Sequence, residues 1–306
     1  MGQVRTRVAA VFGDPIAHSL SPVMHNAAYA ALKLDGVYLP FRVVASELPT
    51  AVRAIRALGL TGANVTLPHK FEAARLVDTL GAQARLLGAV NCIVNRPRGL
   101  FGDNTDARGL EFDLKRLGLS LKGKSALVVG AGGGGAAALL AVLKLGARRV
   151  ALVNRTYQRA LALARRFARG QVEALKLDAL RDRVLLAEQS LVINATSVNA
   201  TKQGFPPMTY AATAEDCFFY DLSYAAKPTA FLRPGLKLGR RGADGLGMLL
   251  YQGAFAFELF NKVPAPVDVM RRALYQALGR PLDGDATGVR VRPPLAQMRG
   301  AAHSGR

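Results

Sequence analysis

The chain has no tryptophan, only two cysteines, and 21 acidic side chains against 41 basic ones in 306 residues. Cys92 and Cys217 cannot build a disulfide framework, and no His or Cys spacing resembles a metal site. No uninterrupted apolar run reaches the roughly 18–20 residues that cross a bilayer. The start, MGQVRTRVAAVFGDP, is basic, but its apolar stretch before Gly13 and Asp14 is too short for a secretory signal. These absences predict a reduced, cytoplasmic protein with no membrane partner and no metal. The missing tryptophan also bears on the net charge of +20, whose field would attract anions, nucleic acid first among them. A stacking platform would interleave aromatics with the basic residues, which here are spread along the whole chain. The charge therefore reads as an Arg-rich surface suited to anionic small molecules, and nucleic acid is not an expected partner.

With 50% hydrophobic and 20% charged residues, the chain has a folded protein's composition. Its length predicts two domains. Strand and helix alternate along it. Residues 7–12 read as a strand closed by Gly13-Asp14-Pro15, and a helix follows over 22–34, with Ser21 as N-cap and Pro22 in the first turn. Strands at 38–44 and 61–67, helices at 47–58 and 71–80, and a hairpin over 89–102 complete the first unit. A helix over 107–121 leads to strands at 125–130, 149–154, 191–194 and 217–221, with helices at 136–146 and 157–168. A Gly-rich segment at 240–247 precedes helices over 248–260 and 267–278. Such alternation predicts an α/β protein with mainly parallel sheets. The tail from Pro281 lacks periodicity and predicts disorder.

Gly130-Ala131-Gly132-Gly133-Gly134-Gly135 matches G-x-G-x-x-G between a strand and a helix. In that context Gly130 permits a tight turn, Gly132 the approach of a pyrophosphate, and Gly135 close helix–strand packing. The next strand ends in Asn154-Arg155-Thr156, with Arg159 four residues beyond Arg155, where an NAD enzyme usually has a carboxylate. Guanidinium groups there favour a 2′-phosphate and hence NADP. Because the glycine loop begins more than 120 residues into the chain, the first domain is expected to hold the substrate. Its polar clusters fall at strand ends: Ser19 and Ser21, Asn64 to Lys70, Asn91, and Gly102 to Asp106. Lys70 and Asp106 are the acid–base candidates, since a lysine beside a carboxylate can move a proton while a hydride leaves carbon.

PIAHSLSPVMHN (15–26), NVTLPHK (64–70), GAVN (88–91), GDNTDARG (102–109), the glycine loop, NRT (154–156), INATS (193–197) and GLGMLLYQG (245–253) occur in order. Together they resemble the shikimate dehydrogenase family from about Phe12 to Leu278. The resemblance implies an N-terminal three-layer α/β substrate domain and a Rossmann-type, doubly wound NADP domain. It places the first at 1–107, completed by helices over 246–280, the second at 108–245, and a tail at 281–306. It implies reduction of 3-dehydroshikimate to shikimate with NADPH in aromatic amino-acid biosynthesis, by a monomer or homodimer. Matching motifs would make Lys70 the proton-transferring group and Asp106 its partner. Ser19 and Ser21 would bind the substrate carboxylate, Thr66, Asn91 and Gln252 its hydroxyls and ring, and Tyr224 would line the cleft. Gly130 to Gly135, Asn154, Arg155, Thr156 and Arg159 would hold the cofactor, with Thr196, Ser197, Leu222, Gly245 and Met248 along its ribose and nicotinamide.

Val198-Asn199-Ala200 and Ala225-Ala226 depart from the family pattern near the cofactor side. A quinate/shikimate relative using NAD and a non-catalytic NADP-binding relative are the alternatives. Ser19 with the Arg155/Arg159 pair opposes the first, and Lys70 with Asp106 the second. Tyr29 and Lys33 have the spacing of a short-chain dehydrogenase dyad but precede the glycine loop, so they read as ordinary helix residues. His18, His25 and His69 are read as non-catalytic, and Cys92 as a packing residue. Hinges are expected near Ala107 to Gly109 and Gly245 to Gly247, with the following helix carrying Gln252 towards Lys70.

Overall fold

The computed structural model describes residues 6–167, 170–196 and 204–282 and contains two six-stranded sheets. In chain order the first unit is β1 (Arg7–Gly13), α1 (Ser21–Ala31), β2 (Gly36–Arg42), α2 (Leu48–Ala57), β3 (Gly62–Val65), α3 (Lys70–Leu76), β4 (Thr79–Leu80), α4 (Ala82–Leu87), β5 (Cys92–Arg96) and β6 (Gly99–Asp103). Helix α5 (Thr105–Arg116) leads to β7 (Ser125–Val129), α6 (Gly133–Lys144), β8 (Arg149–Val153), α7 (Tyr157–Ala164), β9 (Val172–Leu175), α8 (Arg183–Ala187), β10 (Gln189–Asn194), β11 (Phe218–Asp221), α9 (Leu232–Lys237) and β12 (Arg241–Asp244). Helices α10 (Leu246–Asn261) and α11 (Val267–Ala277) follow.

The first sheet has the order β2-β1-β3-β5-β6-β4. Its parallel pairs predominate, but β5 runs antiparallel to both neighbours. Helices α2, α3 and α4 cover one face, where Val52, Ile55, Ala73 and Ala84 join Ala10, Phe12, Ala63 and Ile93. The other face is covered by α1 and by the two C-terminal helices, through Met24, Leu250, Phe257 and Leu274 against Val11, Tyr38 and Cys92. Burying each of the Val, Leu, Ile, Phe and Met side chains among these contributes about 1.5–3 kcal/mol. The last helices therefore return to the first sheet and complete its third layer.

The second sheet is parallel throughout, in the order β12-β11-β10-β7-β8-β9. This is the doubly wound arrangement, with its switch point between β7 and β10, where open sheets place ligands at the strands' carboxyl ends. Helices α5, α6 and α7 pack on one face and α8 and α9 on the other.

Local departures from the sequence reading have identifiable causes. Helix α3 stops at Leu76 because Asp78 accepts the Leu100 N–H at 2.6 Å and the next residues join β6 as β4. Ser21 lies inside α1 rather than capping it; the cap position is Leu20, and Ser19 Oγ accepts the Ser21 N–H at 3.3 Å. The Gly-rich 240–247 segment contains strand β12. The expected hinges fall at helices: Ala107 to Gly109 lie within α5, and Gly245 caps α10. Glycine serves close approach there. A Cβ on Gly109 would come within 2.6 Å of the Gln252 backbone nitrogen, so α5 and α10 touch backbone to backbone.

His25 of α1 is fully buried, its ring stacked 4.1 Å from Tyr38, and neither ring nitrogen has a hydrogen-bond partner. Burial lowers its pKa from 6.5 to about 3. The unfolded chain therefore binds this proton first. Stability is unaffected above the ordinary pKa and falls as pH drops towards the folded one, by on the order of 2 kcal/mol at about pH 5. His25→Phe should remove that part of the acid sensitivity, measured by denaturant unfolding at about pH 7 and pH 5. Equal losses in both proteins would assign the sensitivity to other groups.

Candidate active site

The chain leaves β7 through Gly130, whose φ of +116° strains any side-chain-bearing residue. A Cβ on Gly135 would collide with the Gly130 carbonyl, which explains the glycine at the last motif position. A Cβ on Gly132 would meet nothing within 4 Å, and this N-cap residue puts no side chain over the first turn of α6. The result is an open cradle of backbone N–H groups at a helix N-terminus, which fits a dinucleotide pyrophosphate. Asn154 braces it, accepting the Ala131 N–H at 3.0 Å and donating to the Thr156 carbonyl at 2.9 Å. Arg155 and Thr156 are exposed at the carboxyl end of β8, and Arg159 is exposed on the first turn of α7.

A cleft of about 590 Å³ faces this loop. Thr66 and Lys70 line it from the first unit; Gly132, Gly133, Gly134 and Arg159 line it from the second. The units approach closely, since a Cβ on Gly133 would lie 2.8 Å from Lys70 Cδ. Lys70 Nζ donates to Asp106 Oδ2 at 2.6 Å, with only 17% and 7% of the two side chains exposed. Asp106 lies in the first turn of α5, where the helix dipole favours a carboxylate, and its Oδ1 accepts Asn91 Nδ2 at 2.8 Å. Asn91 also donates to Thr105 Oγ1 at 2.9 Å and to Gln252 Oε1 at 3.3 Å. Five residues from four separate stretches of the sequence thus form one buried polar network, and α10 brings Gln252 to it.

Tyr224 sits beside the Ser19–Ser21 turn. Burial pushes its hydroxyl pKa up, and the nearby Leu20 backbone partly opposes the shift. On the second sheet, Asn194 Oδ1 accepts Thr196 Oγ1 at 2.6 Å, and the Leu222 side chain packs against Gly134. Gly245 donates its N–H to the Ser223 carbonyl, and Met248 is buried behind it. Ser197, and the Val198–Ala200 departure, lie outside the described residues.

Two members of the polar clusters, Asn64 and Asn104, take roles that the sequence did not assign, and Arg166 lies outside those clusters. Asn64 accepts the Tyr38 hydroxyl at 2.8 Å and donates to the Asn91 carbonyl at 3.0 Å, so it holds Asn91 in place. Asn104 caps α5 by accepting the Ala107 N–H at 3.3 Å, and thereby sets Asp106; an Asn before a helix is a signal that was available. Arg166, just past the end of α7, also lines the cleft, and its guanidinium lies against Gly88. Cys92 is fully buried and burial raises its thiol pKa well above the ordinary range, which suits packing and not nucleophilic attack. His69 is tied to the Val43 carbonyl at 2.6 Å, and Tyr29 packs on Phe257. Among the described residues no helix is long and apolar enough to cross a membrane.

A glycine loop on a doubly wound sheet, facing a lysine–carboxylate pair across a cleft, defines a nicotinamide-dependent dehydrogenase. Residues 11–93 match the family model described as the shikimate dehydrogenase substrate binding domain, 113–224 that of shikimate/quinate 5-dehydrogenase, and 245–275 that of the shikimate 5′-dehydrogenase C-terminal domain. The chain is 40% identical over 287 residues to shikimate dehydrogenase (NADP(+)) of Symbiobacterium thermophilum, covering 90% of this chain and 96% of that one. It is 40% identical over 291 residues to the Moorella thermoacetica protein of the same name, covering 92% and 97%. The crystal structure of Thermus thermophilus shikimate 5-dehydrogenase in complex with NADP(H) and shikimate superposes with a TM-score of 0.79 at 38% identity, over 89% of this chain and 100% of that one. The chain belongs to the shikimate dehydrogenase family.

Proposed function

We propose that this chain catalyses the reversible, NADP-dependent reduction of 3-dehydroshikimate to shikimate in aromatic amino-acid (chorismate) biosynthesis. The observation that carries the reading is the Lys70–Asp106 ion pair, lying in the network that reaches Gln252 and beside a cleft lined by the glycine loop. NADP, when bound, supplies the hydride acceptor or donor. Gly130 to Gly135 and the N-terminus of α6 would hold its pyrophosphate, Arg155, Thr156 and Arg159 its 2′-phosphate, and Thr196, Leu222, Gly245 and Met248 its ribose and nicotinamide.

On this reading Lys70 gives a proton to the ketone oxygen during reduction and takes it from the hydroxyl during oxidation. Asp106 keeps the ammonium aimed and balances its charge. Asn91 and Gln252 present amide groups to ring hydroxyls, joined by Thr66. Ser19, Ser21 and the Tyr224 hydroxyl receive the carboxylate end. Residues 1–107 with 246–280 form the substrate unit and 108–245 the nucleotide unit. A basic surface steers two anionic ligands to the cleft. The partners are these small molecules, in the cytoplasm, and the protein acts as a monomer or homodimer.

The test is turnover of shikimate and quinate, each with NADP+ and NAD+, followed by nicotinamide absorbance. Shikimate with NADP+ should exceed every other combination in kcat/KM by about 100-fold or more, the scale of discrimination by a site built around specific polar groups. A preference for quinate or NAD+ would replace this reading with the oxidative relative. No turnover in any combination would leave a binding protein.

A further inference from the structure

Asp244 and Arg280 form an ion pair that the acid–base site does not use. Asp244 ends β12 in the second sheet, and Arg280 follows α11, which is packed on the first. Arg280 Nη1 donates to Asp244 Oδ2 at 2.7 Å, with 3% and 2% of the side chains exposed. The same carboxylate accepts the Leu246 N–H at 3.3 Å, which opens α10, and the Ala225 N–H at 3.5 Å, next to Tyr224. Gly245 N–H to the Ser223 carbonyl, at 3.1 Å, closes the junction. One buried carboxylate therefore joins the Tyr224 loop, the helix that carries Met248 and Gln252, and the end of the first unit's outer layer.

Stability alone does not account for the pair. Arg280 Nε and Nη2 are buried without a hydrogen-bond partner, and a buried ion pair with unmet donors is no more stabilising than apolar side chains of the same size. Its effect is geometric. Tyr224 and Leu20, the residue between Ser19 and Ser21, pack against the same buried cluster, so the position of the Tyr224 loop sets that end of the cleft.

We propose that Asp244 and Arg280 are positioning residues for the substrate. Their ion pair fixes the Tyr224 loop and the first turn of α10 against the Ser19–Ser21 turn. This rests on the proposed substrate site. The glycine loop and Arg155, which would hold the cofactor's phosphates, are reached by neither partner; Gly245 and Met248 follow Asp244 directly, so the larger loss falls on the substrate and a smaller one on the cofactor.

The test is steady-state kinetics and thermal melting of Arg280→Met, Asp244→Asn, their double variant and Arg280→Lys. Arg280→Met should raise the shikimate KM by about 10-fold or more while the NADP+ KM rises by no more than about three-fold, the split expected when substrate binding is loosened more than cofactor binding. Arg280→Lys should recover most of the shikimate KM. The double variant leaves no unpaired buried charge, so it should melt near wild type yet keep the high shikimate KM. It also supplies the readout if a single variant fails to fold. A wild-type shikimate KM in the folded double variant, or both KM values rising by the same factor, would make the pair merely structural and overturn the proposal. Absence of shikimate turnover in the wild type would instead remove the functional reading on which it rests.

Discussion

Lys70→Ala should lower kcat by about 10²–10⁴ while leaving the shikimate KM within a few-fold, because general acid–base groups act in the transition state. The Nζ–Oδ2 distance of 2.6 Å and the packing of the Lys70 stem on Gly133 hold the ammonium at the mouth of the nucleotide cradle, so little else is positioned to replace it. Lys70→Arg should not restore the rate, since a guanidinium keeps its charge but does not release a proton. Melting curves must accompany the kinetics, because removing Lys70 leaves Asp106 buried without its cation. A folded alanine variant that keeps more than about a tenth of wild-type kcat would make Lys70 a binding residue.

Arg155→Asp should raise the KM for NADP+ by about 100-fold and change that for NAD+ by only a few-fold. Loss of a charge-assisted contact to the 2′-phosphate, with a new repulsion in its place, amounts to about 3 kcal/mol. Asn154 braces the glycine loop from the preceding position, and Arg159 on α7 still lines the cleft, which keeps the effect specific to one side chain. Matching losses with both cofactors would show that Arg155 supports the fold of the β8–α7 turn.

The glycine loop was legible because its meaning is local: strand, turn and helix are contiguous, and Gly130 and Gly135 are required by backbone geometry near at hand. Long apolar elements such as β7, α6 and α10 were legible for the same reason. The C-terminal end of α3 and the presence of β4 were not, because Asp78 and the pairing of Thr79 and Leu80 with β6 decide them from more than 20 residues away. Short amphipathic pieces, α8 and α9, carry too little periodicity to be separated from loop. Within the site, the residue types of Lys70, Asp106, Asn91 and Gln252 could be read, but their meeting could not, since hydrogen bonds spanning up to 161 residues create it. Gly109 shows the limit most clearly. Its sequence context reads as a hinge, whereas α10 packed against it makes it a contact point.

The most direct test is a crystal structure of the chain with NADP+ and 3-dehydroshikimate, an oxidised pair that cannot turn over. The account predicts the pyrophosphate on Gly132 to Gly134, the 2′-phosphate at Arg155 and Arg159, and the substrate carboxylate at Ser19 and Ser21. The ketone oxygen should lie within hydrogen-bond reach of Lys70 Nζ, and the nicotinamide carbon about 3–3.5 Å from the carbonyl carbon. Substrate bound away from Lys70, or a nicotinamide directed out of the cleft, would contradict it.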